Sequence, residues 1–105
     1  MSRSPLFVCL FLIGCGASPA PQFMGAIRHD MMLDGIDFAV FVKADKAEVI
    51  RLGYLSRKDR NRVPPLMVRA AELASGCKVA GPAEGWNKSP SLPGDTGEQR
   101  FQLDC

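Results

Sequence analysis

A two-residue turn, Asp34-Gly35, divides the apolar stretch AIRHDMMLDGIDFAVFVK and constrains the fold more than any other feature of the chain. Both central positions of a type I′ hairpin turn need a positive φ, and Asp followed by Gly is one of the pairs that favour it. A two-residue loop then places Leu33 opposite Ile36, and directly opposed residues share a face. His29 is the single polar side chain predicted on the face that carries the apolar residues Ile27, Met31, Leu33, Ile36, Phe38, Val40 and Val42.

Two helices are predicted after this hairpin. Asp45 and Glu48 have the spacing of a capping box, which predicts a first helix that ends near Gly53. Pro64 is tolerated in the first turn of a second helix, which we expect to end at Gly76. The predicted apolar face of that second helix consists of Leu66, Met67, Ala70, Leu73 and Ala74.

The remaining segments complete an α+β fold. Cys77 to Ala80 is predicted as a short strand, 81–97 as a Gly- and Pro-rich loop, and the alternating segment QRFQLDC as a final strand. The order ββααββ favours a small antiparallel sheet with two helices on one face. On the other face, we expect Phe41 to be exposed unless Arg28 stacks on it.

Composition limits the class of protein. The chain has 105 residues, enough for one small domain, and a formal net charge of +2. Lys and Arg number 13 and Asp and Glu number 11. A balance this close to neutral argues against nucleic acid as a partner.

The N-terminus has the pattern of an export signal. Arg3 precedes an uninterrupted apolar run, 6–13, which is too short to cross a bilayer. The run ends in Leu12-Ile13-Gly14-Cys15, which resembles the lipobox of bacterial lipoproteins: an aliphatic residue, a small or aliphatic residue, Gly or Ala, then Cys.

This resemblance implies three segments and a location. Residues 1–14 would be a lipoprotein signal peptide, 15–24 a lipidated Cys15 with a flexible tether, and 25–105 the domain. Gly16 follows the cysteine in place of the Asp associated with inner-membrane retention, which implies the periplasmic face of the outer membrane. The alternatives are a plain secretory signal cut after Ala20, which would give a secreted or periplasmic soluble protein, and a cytosolic protein with an apolar N-terminus.

The cysteines agree with export. Cys9 would leave with the signal and Cys15 would be acylated, so that Cys77 and Cys105 remain in the domain. An even pair in a small exported domain predicts a disulfide. Two free thiols or an intermolecular bond are the alternatives.

Candidate chemistry is sparse, and no cofactor is predicted. His29 and Met31 share a face, and imidazole with thioether suits copper, but a core histidine and a core methionine explain them as well.

The single histidine limits any nucleophile–base arrangement, and no serine lies in a nucleophile-elbow context. We therefore expect no enzyme.

Two surface features predict contact with a partner. Trp86 lies in the predicted Gly- and Pro-rich loop, where an aromatic side chain can anchor a partner or fold back over the core.

The basic connector is the group Arg57, Lys58, Arg60 and Arg62. It can face an anionic lipid or an acidic envelope protein, or it can be a solvated link. The sequence thus predicts a membrane-anchored binding or assembly module, with a copper-handling protein or a secreted enzyme or inhibitor as alternatives.

Overall fold

The structure, a computed structural model, describes residues 21–53, 55–85, 88 and 96–105. The predicted signal peptide, Cys15 and Trp86 lie outside these residues. The described part contains an antiparallel sheet of five strands in the order β1-β2-β3-β5-β4. The strands are β1 (Ile27–Leu33), β2 (Ile36–Lys43), β3 (Lys46–Arg51), β4 (Lys78–Pro82) and β5 (Glu98–Asp104). The helix α1 spans Val63–Ser75, and two 3₁₀ helices span Pro21–Phe23 and Arg57–Arg62.

The first hairpin has the predicted register. Leu33 pairs with Ile36, and the pairing continues to Ile27 with Val42. Asp34 and Gly35 have φ angles of 55° and 81°, as a type I′ turn requires. The prediction from the Asp-Gly pair is therefore confirmed.

The predicted first helix is wrong, because this segment is the strand β3. Ala44, with a φ of 54°, and Asp45 form a turn that sets Lys43 opposite Lys46. Ala47 and Val49 then lie buried on one face of the sheet, and Glu48 lies on the other. Alternation with period 2 and a β-branched pair fit a strand. The capping-box spacing of Asp45 and Glu48 is coincidental, and the order is βββαββ with one α-helix in the described residues.

The helix α1 begins and ends close to its predicted bounds. Gly76 has a φ of 76°, and its N–H donates to the Glu72 carbonyl oxygen at 2.9 Å. The helix is rotated from the expected stripe, since Leu73 is 57% exposed. Its fully buried residues are Val63, Met67, Ala70 and Ala71.

The side of the sheet under α1, the helix face, holds the main core. Phe38, Val40 and Val49 have no exposed surface there. They pack with the buried residues of α1 and with Phe101 and Leu103 of β5. The alternation predicted for the final strand placed these last two side chains correctly.

The opposite side of the sheet, the N-terminal face, is also covered. Phe23 of the first 3₁₀ helix is 1% exposed and packs with Ala39 and Phe41. The Arg28 guanidinium lies 5.7 Å from the centre of the Phe41 ring. Phe41 is only 4% exposed, which agrees with the exception given for Arg28 stacking; the packing of Phe23 on the same face was not predicted.

A disulfide joins Cys77, just after α1, to Cys105, just after β5. Their Cα atoms are 4.7 Å apart, and 28 positions separate them in the sequence. β4 and β5 pair beside this bond from Lys78 with Asp104 onward. The disulfide therefore fixes the end of the helix to the end of β5.

Candidate functional site

A buried cation organises the N-terminal face. Arg100 of β5 is 7% exposed, and its Nε lies 3.2 Å from Oε2 of Glu48, which is 2% exposed. The same Nε lies 3.0 Å from a carboxylate oxygen of Glu98. A buried guanidinium needs such partners because its desolvation is expensive. The strand register explains the pairing, since Glu48 and Arg100 are directly opposed on β3 and β5.

Arg100 also holds two segments that come from other parts of the chain. Its Nη1 donates to the Lys88 carbonyl oxygen at 2.8 Å. Its guanidinium lies 6.0 Å from the centre of the Phe23 ring, within cation–π range. The sequence does not reveal this cluster, because its local patterns place Glu48 in a helix cap and Phe23 in the tether.

A second arginine fixes the segment that precedes β5. Arg51 Nε donates to the Thr96 carbonyl oxygen at 2.7 Å. The Arg51 backbone N–H donates to the Gly97 carbonyl oxygen at 3.0 Å. Arg100 thus holds the predicted loop at Lys88, and Arg51 holds it at Thr96 and Gly97. Trp86, the predicted anchor within that loop, lies outside the described residues.

The basic connector divides into two pairs of residues. Arg62 Nη1 lies 2.8 Å from Oδ2 of Asp34 in the first turn, and Arg60 Nε donates to the Leu55 carbonyl oxygen at 3.2 Å. These two arginines therefore fasten the connector to the domain. Arg57 and Lys58 are exposed, and the side chain of neither makes a hydrogen bond or ion pair within the described part of the chain. The structure thus leaves two of the four cations available to a partner.

The connector and the N-terminal segment lie on different faces of the sheet. Residues 57–62 lead directly into α1, and Leu55 and Val63 at their two ends pack with the core of the helix face. Pro21–Phe23 packs on the N-terminal face. A partner of the connector therefore approaches from the helix side, away from the surface where the described chain begins.

His29 and Met31 lie on the helix face, as the hairpin register predicted. Met31 packs partly against the main core. Among the described residues, no group of three or more His, Cys, Asp or Glu side chains is placed to hold a metal ion. The copper prediction gains no further ligand from the described fold and stays a prediction.

A surface depression of about 530 Å³ lies beside an irregularity in β4. Its lining consists of Lys46, Ala80, Gly81, Pro82, Glu84 and Gln102. Next to it, hydrogen bonds from the Lys46 ammonium and then from the Gln102 amide hold the pKa of Asp45 below its ordinary value. The described part of the lining supplies one cation, one carboxylate and one amide, which is not a nucleophile–base arrangement.

No protein-family model matches the chain, and no curated protein or solved structure matches it closely enough to indicate a relative. Within the described residues, none of the helices combines the length and the apolar character needed to cross a bilayer. The features that bear on function are therefore the N-terminal sequence pattern, the disulfide and the surfaces of the domain.

Proposed function

We propose that this protein is a lipid-anchored component of the cell envelope whose disulfide-bonded domain is a binding or assembly module. The observation that carries the proposal is the Cys77–Cys105 disulfide in a chain whose Leu12–Cys15 segment resembles a lipobox. Disulfides of small domains persist in oxidising compartments, which are the compartments that an export signal leads to. The two features are independent and favour the same location.

The anchor and the domain are close to each other in the chain. Phe23, which is 1% exposed, belongs to the packed domain and follows Cys15 by only eight positions. The six steps from Cys15 to Pro21 reach about 20 Å at full extension. Lipid on Cys15 would therefore keep the membrane near the N-terminal face of the sheet.

The basic connector is the proposed binding surface. Arg57 and Lys58 are exposed on the helix side, which is the side away from the N-terminal segment. This placement favours an acidic envelope protein over the headgroups of the bilayer that holds the anchor. Surface charges of this kind increase the rate and specificity of association with a surface of opposite charge.

Metabolic labelling with palmitate tests the anchor. In a bacterial host, we expect the wild type and Cys9→Ala to incorporate the label and to fractionate with membranes, and Cys15→Ala to do neither. Cys9→Ala is the matched control, because Cys9 lies in the same apolar run. Labelling of Cys15→Ala, or an unlabelled and soluble wild type, would contradict lipidation at Cys15; the second result would favour plain secretion.

Photo-crosslinking in cells tests the connector. A crosslinker placed at Asn61, an exposed connector position, should join the wild type to an envelope protein. Arg57→Glu/Lys58→Glu should lose this adduct. Arg69→Glu/Lys78→Glu makes the same change in net charge at exposed positions outside the connector and should keep it. Equal adducts in all three proteins, or none in the wild type, would refute the connector as the binding surface.

A further inference from the structure

Met24 is an exposed apolar side chain on a hydrogen-bonded turn. Its side chain is 62% exposed, whereas Phe23 beside it is 1% exposed and packs with Ala39 and Phe41 on the N-terminal face. The Met24 backbone N–H donates to the Pro21 carbonyl oxygen at 3.1 Å. The packed Phe23 therefore holds the Met24 side chain at the surface of the domain.

A contact with β2 fixes the position of Met24 relative to the sheet. The Lys43 ammonium donates to the Met24 carbonyl oxygen at 2.9 Å, and Lys43 is the last residue of β2. The Asp34-Gly35 turn lies at the other end of β2. Met24 therefore lies at the open end of the first hairpin, which is the end away from this turn.

We propose that the Met24 side chain inserts into the leaflet that holds the lipid anchor, with the open end of the hairpin facing this leaflet. This contact depends on the proposed lipidation of Cys15, and it gives the domain a second, weaker attachment to the membrane. The length of the chain and the distribution of charge favour a lipid surface as the occupant.

The chain between the anchor and the turn is short. The six steps from Cys15 to Pro21 reach about 20 Å at most, and Met24 follows Pro21 by three positions. A short tether keeps Met24 at a high local concentration beside the leaflet, so a modest affinity is enough for contact. Insertion removes the exposed apolar side chain from water, which favours the contact.

Charge distinguishes the two ends of the hairpin. Met32 lies on the same N-terminal face and is 63% exposed, but it is directly opposed to Asp37, which is also exposed. Asp37 and Lys43 are six residues apart in β2, which is about 20 Å along the strand. A leaflet that contains anionic lipid attracts cations and repels carboxylates. It therefore favours the open end of the hairpin, where Lys43 lies, over the end that carries Asp37.

A fluorescent label on the mature, lipid-anchored protein tests the insertion. In this form Cys9 has left with the signal peptide, Cys15 is acylated, and Cys77 is bonded to Cys105. A cysteine introduced by substitution is then the free thiol that an environment-sensitive NBD label reacts with. The labelled protein is reconstituted into vesicles of phosphatidylethanolamine and phosphatidylglycerol, with or without lipids whose acyl chains are brominated.

Three labelled variants are compared. Met32→Cys is the matched control for Met24→Cys, because the two methionines are equally exposed on one face, and Leu73→Cys is a control on the helix side. The label at position 24 should shift to shorter emission wavelengths and lose fluorescence with brominated lipid, and the two controls should do neither. Protein that floats with the vesicles but shows equal quenching at positions 24 and 32, or none, overturns the insertion alone. Protein that does not float overturns the lipid anchor together with it.

Substitution of Met24 tests whether its side chain makes the contact. An NBD label on Ile27→Cys reports on the open end of the hairpin, because Ile27 is 68% exposed and follows Met24 by three positions. In this background, Met24→Asp should reduce the quenching by brominated lipid and Met24→Leu should preserve it. Met32→Asp makes the same change in charge at the other end of the hairpin and should also preserve it. Equal quenching in Met24→Asp and Met24→Leu overturns the proposal.

Discussion

Arg100 has a full charge and is buried on the N-terminal face. The Glu48 carboxylate, 3.2 Å away, stabilises this buried charge. The alternation of QRFQLDC correctly placed Arg100 on the face away from Phe101 and Leu103. It did not predict burial, because what covers Arg100 comes from Phe23 and Lys88, which are distant in the chain. A period-2 pattern identifies the face of a strand and not what packs on that face.

Removing the cation should therefore destabilise the domain strongly. Arg100→Met leaves the buried Glu48 carboxylate without its opposed guanidinium, and breaking such a pair costs about 3–5 kcal/mol. Urea unfolding should show this loss in the free energy of unfolding. Glu48→Gln/Arg100→Met removes both charges and should cost less than Arg100→Met alone. Additive costs of the two substitutions would show that the two side chains do not act as a pair.

Asp45 gives the fold a dependence on acid. Hydrogen bonds from Lys46 at 2.9 Å and from Gln102 at 2.8 Å lower the pKa of Asp45 in the folded state. A folded pKa below the unfolded one contributes stability above the unfolded pKa, and that contribution disappears as the pH falls through the folded pKa. The difference in unfolding free energy between the wild type and Asp45→Asn should therefore shrink from neutral pH into acid. If the difference in unfolding free energy does not change with pH, Asp45 acts through the conformation of the turn and not through its charge.

At the scale of elements, local patterns predicted the hairpin and the end of α1, and failed for β3. The Asp34-Gly35 turn and the C-cap Gly76 each depend on one backbone conformation, which is a local property. The segment 45–51 has both the spacing of a helix capping box, at Asp45 and Glu48, and the alternation of a strand. Pairing with β2 on one side and β5 on the other decides between them, and that pairing is nonlocal.

The first 3₁₀ helix is an element that the sequence did not reveal, and its contribution is measurable. Phe23→Ala should lower the free energy of unfolding by about 3 kcal/mol, as expected for truncation of a buried Phe. Met24→Ala is the adjacent control, because Met24 is 62% exposed and should change stability by about 0.5 kcal/mol or less. Equal effects in urea unfolding would contradict the packing of Phe23 against Ala39 and Phe41.

For the whole molecule, the sequence predicted the disulfide but not how the sheet is covered. If the chain is exported and Cys15 is acylated, Cys77 and Cys105 are the two cysteines that remain, so counting is sufficient to predict their bond. The βββαββ order of the described residues and the cover on the N-terminal face depend on contacts between distant segments. The sequence predicts the basic connector as one group of four cations. In the structure, Arg60 and Arg62 bond to other parts of the domain, and Arg57 and Lys58 are exposed.

The disulfide should contribute a large share of the stability of this small domain. Cys77→Ser/Cys105→Ser should lower the free energy of unfolding by about 3–4 kcal/mol, as the loop-entropy relation gives for this separation. Chemical denaturation of the wild type with and without reductant provides the matching comparison. A reduced wild type as stable as the oxidised protein would contradict this contribution.

Intact-mass spectrometry of the protein extracted from membranes tests the central claim most directly. We expect a chain that begins at Cys15, carries the mass of a diacylglyceryl group with or without an N-acyl chain, and gains the mass of two hydrogens on reduction. A chain that still begins at Met1 without lipid, or one that begins after Ala20, would contradict the lipid anchor.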